Sequence, residues 1–251
     1  MHHIEFKERK MFDKGRHHRA KIGFVLLATE QTIERDMFQL CPDGIGLHFT
    51  RAWIEDSITA ASLSRHAGDL ARASATLLPD GSLDVICYGC TSGSLVIGED
   101  RVAAELSKGA PNAKPTSLIT AVIAALRAIA ARRIAVATPY LEEINRQEVQ
   151  YLENAGFQVT QIQGLQLEKD SDMVRVSPEY LAEFARQADT PDSDALFISC
   201  GALRSLEIVD RLEQRLGKPV ICSNQAMMWH VLRLAGLPDR IEGYGRLLRD
   251  H

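Results

Sequence analysis

Two cysteines at the ends of apolar runs are the residues of this sequence whose types and positions could do chemistry. Cys90 follows the apolar run 83–89, and Cys200 ends the run 195–200; small residues and then a helical pattern follow each of them. A helix N-terminus favours the thiolate form of a nearby cysteine, which is both a nucleophile and a base. The pair therefore predicts proton-transfer or nucleophilic chemistry, with two buried structural cysteines as the alternative.

The remaining cysteines, Cys41, Cys87 and Cys222, indicate neither a disulfide framework nor a metal site. The chain has 5 cysteines, an odd number, in 251 residues, whereas disulfide frameworks are typical of short secreted chains. Cys87 and Cys90 form a C-x-x-C pair, but strand alternation places the two side chains on opposite faces. No second C-x-x-C pair and no nearby histidine completes a tetrahedral site. We therefore expect no metal ion.

The composition is that of an ordinary globular protein, with 45% hydrophobic and 25% charged residues. A formal net charge of −4 gives no reason to expect nucleic acid or an anionic membrane as a partner. No apolar run has the length of a secretory signal or a membrane span, which predicts a cytoplasmic location. Nucleotide-binding and nucleophile-elbow motifs are absent, so we expect no cofactor. Whether copies of the chain form a homo-oligomer is left open.

Short apolar runs alternate with helical patterns and predict an α/β protein with a parallel sheet. The predicted strands occupy 22–27, 45–52, 83–89, 133–140, 157–165, 195–200 and 219–223, and the main predicted helices occupy 115–131, 141–155, 203–216 and 225–235. Ligands of open parallel sheets bind beyond the carboxyl ends of the strands. Cys90 and Cys200 both stand in that position.

The two parts of the chain repeat the same spacing between an opening strand and a terminal cysteine. Cys90 lies 68 residues after Ile22, and Cys200 lies 66 residues after Ile134. This repeat predicts two similar parallel-sheet α/β half-domains related by a pseudo-two-fold axis, with the active site between them. The predicted division is an N-terminal arm over 1–20, half-domains over 21–115 and 116–235, and a C-terminal tail over 236–251 that packs on the first half.

Three runs of residues carry a resemblance to a known family. They are CYGCTSGS at 87–94, ATPYLEEIN at 137–145, and the segment 197–236, which contains Cys-Gly, Gly-Lys-Pro-Val and Ser-Asn-Gln. These runs resemble the maleate isomerase and arylmalonate decarboxylase branch of the aspartate/glutamate racemase superfamily. Within it, the ectoine-utilisation protein is similar in a further run, LATEQTIERDM at 27–37. The resemblance implies a cofactor-independent isomerase or racemase acting on a small carboxylate.

The resemblance also implies a role for each residue of a compact site. Cys90 and Cys200 match the two catalytic cysteines of maleate isomerases and amino-acid racemases, whereas arylmalonate decarboxylases carry Gly where Cys90 stands. Both cysteines together favour isomerase or racemase chemistry, because a decarboxylase needs one proton donor on one face. The residues implied to bind substrate are Thr91, Ser92, Tyr140 and Gly201, and those expected to line the second cysteine's loop are Ser223 and Asn224.

Glu30 and Asp170 stand where the resemblance places substrate-binding asparagines of maleate isomerases. A carboxylate at these positions would repel a dicarboxylate and attract an ammonium group. We therefore predict an amino- or acylamino-substituted substrate, such as a diaminobutyrate derivative of ectoine breakdown. Glu30 has the alternative role of capping the following helix, and Asp170 lies in the acidic stretch 168–172.

Two chemistries use opposed cysteines, and the sequence does not choose between them. In a racemase, one thiolate removes the α-proton while the other thiol donates from the opposite face. In a cis–trans isomerase, one thiolate adds to an alkene carbon before rotation and elimination. The alternatives to an amino-carboxylate enzyme are a maleate isomerase, an arylmalonate-decarboxylase-like enzyme and a non-catalytic carboxylate-binding protein. No histidine is predicted to act, because His48, His66 and His230 are scattered.

Overall fold

Two four-stranded parallel sheets, each flanked by helices, form the framework of the protein. The computed structural model describes residues 12–251, so the predicted arm over 1–20 lies partly outside the described residues. The first sheet has the strand order β2-β1-β3-β4, and the second has the order β6-β5-β7-β8. Every strand pair is parallel.

Strands and helices alternate along the chain in both halves. The first comprises β1 (Ala20–Leu27), α1 (Ile33–Leu40), β2 (Ile45–Ala52), α2 (Ala60–Ser74), β3 (Val85–Tyr88), α3 (Thr91–Ile97), α4 (Glu99–Gly109), β4 (Lys114–Ser117) and α5 (Leu118–Ala128). The second comprises β5 (Arg133–Thr138), α6 (Glu142–Asn154), β6 (Gln158–Gly164), α7 (Asp170–Met173), α8 (Pro178–Ala188), β7 (Ala195–Ile198), a 3-10 turn (Ser205–Glu207), α9 (Val209–Leu216), β8 (Val220–Cys222), α10 (Ser223–Leu234) and α11 (Arg246–Asp250).

The registers of the two sheets make the two cysteines equivalent in position. Tyr88 ends β3 and pairs with Val25, while Ile198 ends β7 and pairs with Ala137. Each cysteine follows its strand by two residues. All residues of β3 and β7 are buried, as expected where helices cover both faces of a parallel sheet. The predicted fold of two similar parallel-sheet α/β halves is thus confirmed.

The sequence-based prediction is wrong at the start of the helix predicted over 115–131. Residues Lys114–Ser117 form an eighth strand, β4, and helix α5 begins at Leu118. β4 lies at a sheet edge and pairs with β3 alone, which is where a strand tolerates a proline such as Pro115. The helix predicted over 203–216 is likewise shorter, because a 3-10 turn precedes α9.

Helices α5 and α10 join the two halves. Each follows the edge strand of its own sheet, β4 or β8, and the two helices pack against each other. Their apolar residues, Leu118 and Val122 on α5 and Met227 and Met228 on α10, are fully buried. Burial of this kind is the main stabilising contribution of such an interface. The sheets are therefore held with the carboxyl ends of β3 and β7 facing one space.

The C-terminal segment after α10 contacts both halves. Arg19, just before β1, forms an ion pair of 2.5 Å with Asp239. The hydroxyl of Tyr244 accepts a hydrogen bond of 2.7 Å from Gln39, and its carbonyl accepts one of 2.5 Å from Gln225 on α10. The domain division at the predicted boundaries stays a prediction. Within residues 12–251, no helix combines the length and apolarity that a membrane crossing requires.

Candidate active site

One small cavity collects all of the predicted site residues. It has an empty volume of about 280 Å³ and lies between the ends of β3 and β7. Its polar lining is formed by Glu30, Cys90, Thr91, Ser92, Tyr140, Asp170, Cys200 and Gly201, and its apolar lining by Leu27, Ile58, Gly89, Met173 and Ala202. Residues from both halves of the chain therefore form one site.

Cys90 is held at the start of α3 by hydrogen bonds to its sulfur. The backbone N–H of Gly93 donates to Cys90 Sγ at 3.2 Å, and the hydroxyl of Ser92 lies 3.7 Å from the same sulfur. Burial raises the pKa of the Cys90 thiol to about 11, while the bonds from Gly93 and Ser92 act to lower it. The charge of Asp170 raises it further. Hydrogen bonds to sulfur thus partly offset the cost of a buried thiolate.

Cys200 has a backbone conformation that side chains rarely adopt, with φ at +99°. A non-glycine residue in this region costs on the order of 1–3 kcal/mol and requires support from its surroundings. That support comes from Ser223, whose hydroxyl accepts the Cys200 N–H at 3.0 Å, and from Asn224, whose amide donates to Gly201 O at 2.9 Å. Thr32, the N-cap residue of α1, donates from its hydroxyl to Ala202 O at 2.9 Å.

A short hydrogen-bond chain links the two cysteine loops. Thr91 Oγ1 lies 3.1 Å from Ser223 Oγ, which also bonds the Cys200 backbone. Burial raises the pKa of the Tyr140 hydroxyl well above its ordinary value, and the charges of Cys200, Glu148 and Cys90 raise it further. Burial first, and then the charge of Asp170, raises the pKa of Cys200 well above its ordinary value, against the hydrogen bond from Tyr140.

Two buried carboxyl groups, Glu30 and Asp170, face the same cavity. Glu30 Oε1 accepts the N–H groups of Thr32 at 2.5 Å and Ile33 at 2.9 Å, so this residue caps α1 and also lines the site. Burial, followed by the charge of Asp170, raises the pKa of Glu30 to about 7. Burial also raises the pKa of Asp170, against a hydrogen bond of 2.6 Å from the hydroxyl of Thr29.

The two loops that follow β2 and β6 meet beside the cavity. Ile58 N–H donates to Glu168 O at 2.9 Å, and Asp170 N–H donates to Asp56 O at 3.0 Å. The hydroxyl of Ser171 adds a bond of 2.6 Å to Asp56 Oδ2. These bonds order the acidic stretch around Asp170 and bury this residue, which is 3% exposed. One loop from each half therefore closes the site.

The charge of the lining is negative in character. Among the cavity-lining residues of the described chain, 12–251, none is Lys, Arg or His. The same part of the chain contains no group of three or more His, Cys, Asp or Glu side chains arranged to hold a metal ion. The site thus offers two thiols, three hydroxyls and two carboxyls around one cavity.

Three buried residues behind the cysteines were not predicted from the sequence. Tyr88 and His66 lie behind Cys90, with His66 Nδ1 at 2.8 Å from the Tyr88 hydroxyl. Glu148 on α6 accepts a hydrogen bond of 2.6 Å from the hydroxyl of Ser199, the residue before Cys200. Strand alternation puts Tyr88 on the same face as Cys90 and could have indicated it. Nothing in the sequence pattern connects His66 or Glu148 to the cysteines.

Comparison with known proteins identifies the family of the chain. The arylmalonate decarboxylase family profile matches residues 57–248. The maleate isomerase of Nocardia farcinica is 30% identical over 239 residues, which cover 91% of this chain and 95% of that protein. The arylmalonate decarboxylase of Bordetella bronchiseptica is 36% identical over 135 residues, covering 53% of this chain and 56% of that protein.

Solved structures extend the similarity over nearly the whole chain. The maleate isomerase Iso of Pseudomonas putida has a TM-score of 0.85 at 26% identity, covering 92% of this chain and 98% of that one. A cysteine-to-serine mutant of the Nocardia farcinica maleate cis–trans isomerase, solved with a covalently bound succinylcysteine intermediate, has a TM-score of 0.84 at 26% identity over 92% and 99% of the two chains. The chain therefore belongs to the arylmalonate decarboxylase family, in the branch of aspartate/glutamate racemase-like proteins that includes the maleate isomerases.

Proposed function

We propose that this protein is a cofactor-independent isomerase in which Cys90 and Cys200 act on one small carboxylate substrate. The observation that carries the proposal is that two cysteines at equivalent strand ends line a single small cavity. The succinylcysteine intermediate described for the Nocardia farcinica isomerase supports covalent cysteine chemistry on this fold. The substrate carboxylate binds at the start of α3, where Thr91 and Ser92 offer hydroxyls and helix N–H groups that lack helical partners.

Cys90 is the residue that becomes a thiolate, and Cys200 is the residue that stays a thiol. Cys90 Sγ accepts a backbone N–H and lies beside a hydroxyl, and its pKa is raised only to about 11. The thiol of Cys200 has a pKa raised well above the ordinary value, with the charges of Asp170 and Glu30 adding to the effect of burial. A reaction that moves protons on both faces of a substrate needs one thiolate to remove a proton and one thiol to donate a proton.

Cis–trans isomerisation and racemisation can each be carried out with Cys90 and Cys200 as the reacting side chains. For cis–trans isomerisation, the Cys90 sulfur adds to one alkene carbon, the π electrons move into the neighbouring carboxylate as an enediolate, and the α-carbon takes a proton from Cys200. Rotation about the resulting single bond, return of the α-proton to Cys200 and cleavage of the C–S bond give the trans product and regenerate the Cys90 thiolate. For racemisation, Cys90 removes the α-proton to form the enediolate, and Cys200 delivers its own proton to the opposite face. Hydroxyls of the site stabilise the enediolate in both reactions.

The carboxyl pair selects an amino-bearing substrate. Glu30 and Asp170 are buried, their pKa values are raised, and no lining residue of the described chain carries a positive charge. A substrate ammonium group would pair with these carboxylates. Its positive charge also lowers the pKa of both thiols, because it offsets the negative charge of Glu30 and Asp170. We propose a small amino- or acylamino-substituted carboxylate, of the class met in ectoine breakdown, in preference to a dicarboxylate.

The substrate proposal is tested by a panel of small carboxylates incubated with the protein in deuterium oxide. Chiral chromatography and mass spectrometry then report inversion, alkene isomerisation and α-deuteration. We expect turnover of amino-bearing carboxylates, and we expect Glu30→Gln or Asp170→Asn to shift selectivity toward maleate by roughly 10- to 100-fold, the value of a hydrogen bond to a charged group. Glu213→Gln, a buried carboxyl outside the cavity, is the matched control and leaves the selectivity unchanged.

Maleate is the second candidate substrate, because the maleate isomerase of Nocardia farcinica matches 91% of this chain. Efficient turnover of maleate, with selectivity that does not respond to Glu30→Gln or Asp170→Asn, would replace the amino-carboxylate proposal with that activity. Carbon dioxide release from an arylmalonate would assign the decarboxylase activity of the family instead. Binding of a carboxylate with no turnover and no deuteration would indicate a non-catalytic protein.

A further inference from the structure

A tyrosine and a histidine are buried in line behind Cys90. Tyr88 ends β3, is fully buried, and has its hydroxyl beside the Cys90 sulfur. A methyl group at position 93 would clash with the Tyr88 hydroxyl oxygen and lie 3.0 Å from Cys90 Sγ. The Tyr88 oxygen and the Cys90 sulfur therefore border the same small space. The Tyr88 hydroxyl is one of the groups that act to lower the pKa of this thiol against burial, beside the Gly93 N–H and the Ser92 hydroxyl.

His66 completes the line from the other side. Its Nδ1 atom is 2.8 Å from the Tyr88 hydroxyl, and the residue is 2% exposed. Its Nε2 atom is buried and makes no hydrogen bond within residues 12–251. Burial lowers the pKa of His66, so the ring is neutral near pH 7, while the Ala52 carbonyl and the charge of Asp69 act to raise it. A neutral imidazole presents one nitrogen as a proton acceptor.

We propose that Tyr88 and His66 form a proton relay that deprotonates Cys90, an inference that rests on the proposed role of Cys90 as the reacting thiolate. In the step, the Cys90 S–H proton passes to the Tyr88 oxygen while the Tyr88 hydroxyl proton passes to His66 Nδ1. The products are a thiolate, an unchanged tyrosine and an imidazolium, with no change in total charge. The proton returns by the same path when the thiolate leaves the substrate.

The relay belongs to one half of the molecule. Tyr88 and Ile198 occupy equivalent strand-end positions, and Ile198 has no group that can carry a proton. Cys200 instead contacts Tyr140, whose side chain enters from the loop after β5. A buried hydrogen-bonded chain of this kind polarises along its length, which strengthens each bond in it. The relay therefore gives the Cys90 proton a path that the equivalent strand end beside Cys200 does not provide.

The test measures thiol reactivity, which needs no substrate. Wild-type protein, Tyr88→Phe and His66→Gln are treated with iodoacetamide between pH 5 and 10, and peptide mass spectrometry follows Cys90 and Cys200 separately. We expect Tyr88→Phe to slow alkylation of Cys90 near pH 7 by roughly tenfold, the effect of losing one hydrogen bond to a charged group, and His66→Gln to slow it as well because glutamine cannot take up the proton, with Cys200 unchanged in both. The wild-type Cys90 profile has an inflection below the ordinary histidine pKa, and His66→Gln removes it.

Tyr140→Phe is the matched control, because it removes the hydroxyl beside the other cysteine and is expected to change Cys200 more than Cys90. Equal slowing of both cysteines in Tyr88→Phe and His66→Gln, or Cys90 rates within twofold of wild type, would overturn the relay. His66→Gln keeps a polar partner for Tyr88, so it remains decisive if Tyr88→Phe does not fold. If no carboxylate protects either cysteine from alkylation, the proposed function fails, while the relay is still read from the variants.

Discussion

The two cysteines occupy equivalent positions in two equivalent sheets, yet their backbone conformations and their hydrogen-bond partners differ. Cys90 has an ordinary extended backbone, with φ at −142°, and its sulfur caps α3. Cys200 has φ at +99°, and its support falls on the backbone of its loop through Ser223 and Asn224. A repeated fold therefore sets where the two cysteines stand, while local hydrogen bonds and charges make the two thiols unequal.

The residues behind the cysteines differ as well. Tyr88 and His66 form a hydrogen-bonded line behind Cys90. Behind Cys200, Ser199 bonds to Glu148, a fully buried carboxyl whose Oε2 atom has no partner within residues 12–251. Burial raises the pKa of Glu148 to about 7. A hydrogen-bonded tyrosine and histidine thus lie behind Cys90, whereas a carboxyl group that burial keeps protonated up to about pH 7 lies behind Cys200.

Replacement of either cysteine has the largest expected effect and separates their roles. Cys90→Ser and Cys200→Ser each lower turnover on the order of 10³-fold or more, as expected for members of one catalytic unit. The two variants differ in trapping, because Cys200→Ser retains the thiolate that adds to substrate. With an unsaturated carboxylate, intact-mass analysis is expected to find an adduct on Cys200→Ser and none on Cys90→Ser. The reverse pattern would exchange the two roles.

Glu148→Gln tests the second half through the pH dependence of stability. Because the folded protein keeps a proton on Glu148 up to a pKa of about 7, and the unfolded chain releases it near pH 4.5, stability falls as pH rises through this window. The loss amounts to about 3 kcal/mol and is complete above pH 7. Glutamine carries no charge, so this contribution to the pH dependence disappears. Urea unfolding at pH 5 and pH 8 measures both proteins.

The outcome for Glu148→Gln is expected to be a gain in stability at pH 8 relative to wild type and little difference at pH 5. A constant difference between the two proteins at both pH values would mean that Glu148 does not titrate in this window. Glu30 has a raised pKa of the same size and remains in both proteins, so the comparison isolates Glu148.

Gly93→Ala tests the close packing around Cys90 and has the smallest expected effect. Its new methyl group meets the Tyr88 hydroxyl and the Cys90 sulfur, which overpacks a buried site and costs about 1–3 kcal/mol. Gly68→Ala, on α2, is the matched control, because no atom beyond its neighbouring residues and its own helix backbone lies within 4 Å of its new methyl group. That control stabilises the helix by up to about 1 kcal/mol. Equal effects from both changes in thermal unfolding would argue against the close contact of Tyr88 with Cys90.

The fold was predictable where it depends on local pattern. Buried parallel strands are near-continuous apolar runs, and the repeated distance from opening strand to cysteine indicated two equivalent halves. β4 was missed because an edge strand of sequence Lys-Pro-Thr-Ser has no such run, and its proline suggested a helix start. Its pairing with β3 depends on tertiary structure that no local pattern contains.

The site was predictable where residues adjoin the cysteines in sequence, and only partly elsewhere. The sequence offers two roles for Glu30, helix capping or the site. The structure combines them, because Glu30 Oε1 accepts the N–H groups at the start of α1 while the residue also lines the cavity. Scattered histidines gave no indication of function, because His66 reaches Tyr88 only through the packing of α2 against the first sheet. Contacts between distant segments are therefore what the sequence pattern omitted.

The unequal acidity of the two cysteines is tested most directly by alkylating the unmodified protein across pH 7 to 10 with site-resolved mass spectrometry. Cys90 and Cys200 are each 6% exposed, so access does not distinguish them, and the fully buried Cys87 and Cys222 serve as internal controls. We expect Cys90 to react at lower pH and at least about tenfold faster, because the thiolate is the reacting form. Modification of Cys200 before Cys90, or of both at equal rates, would contradict this account.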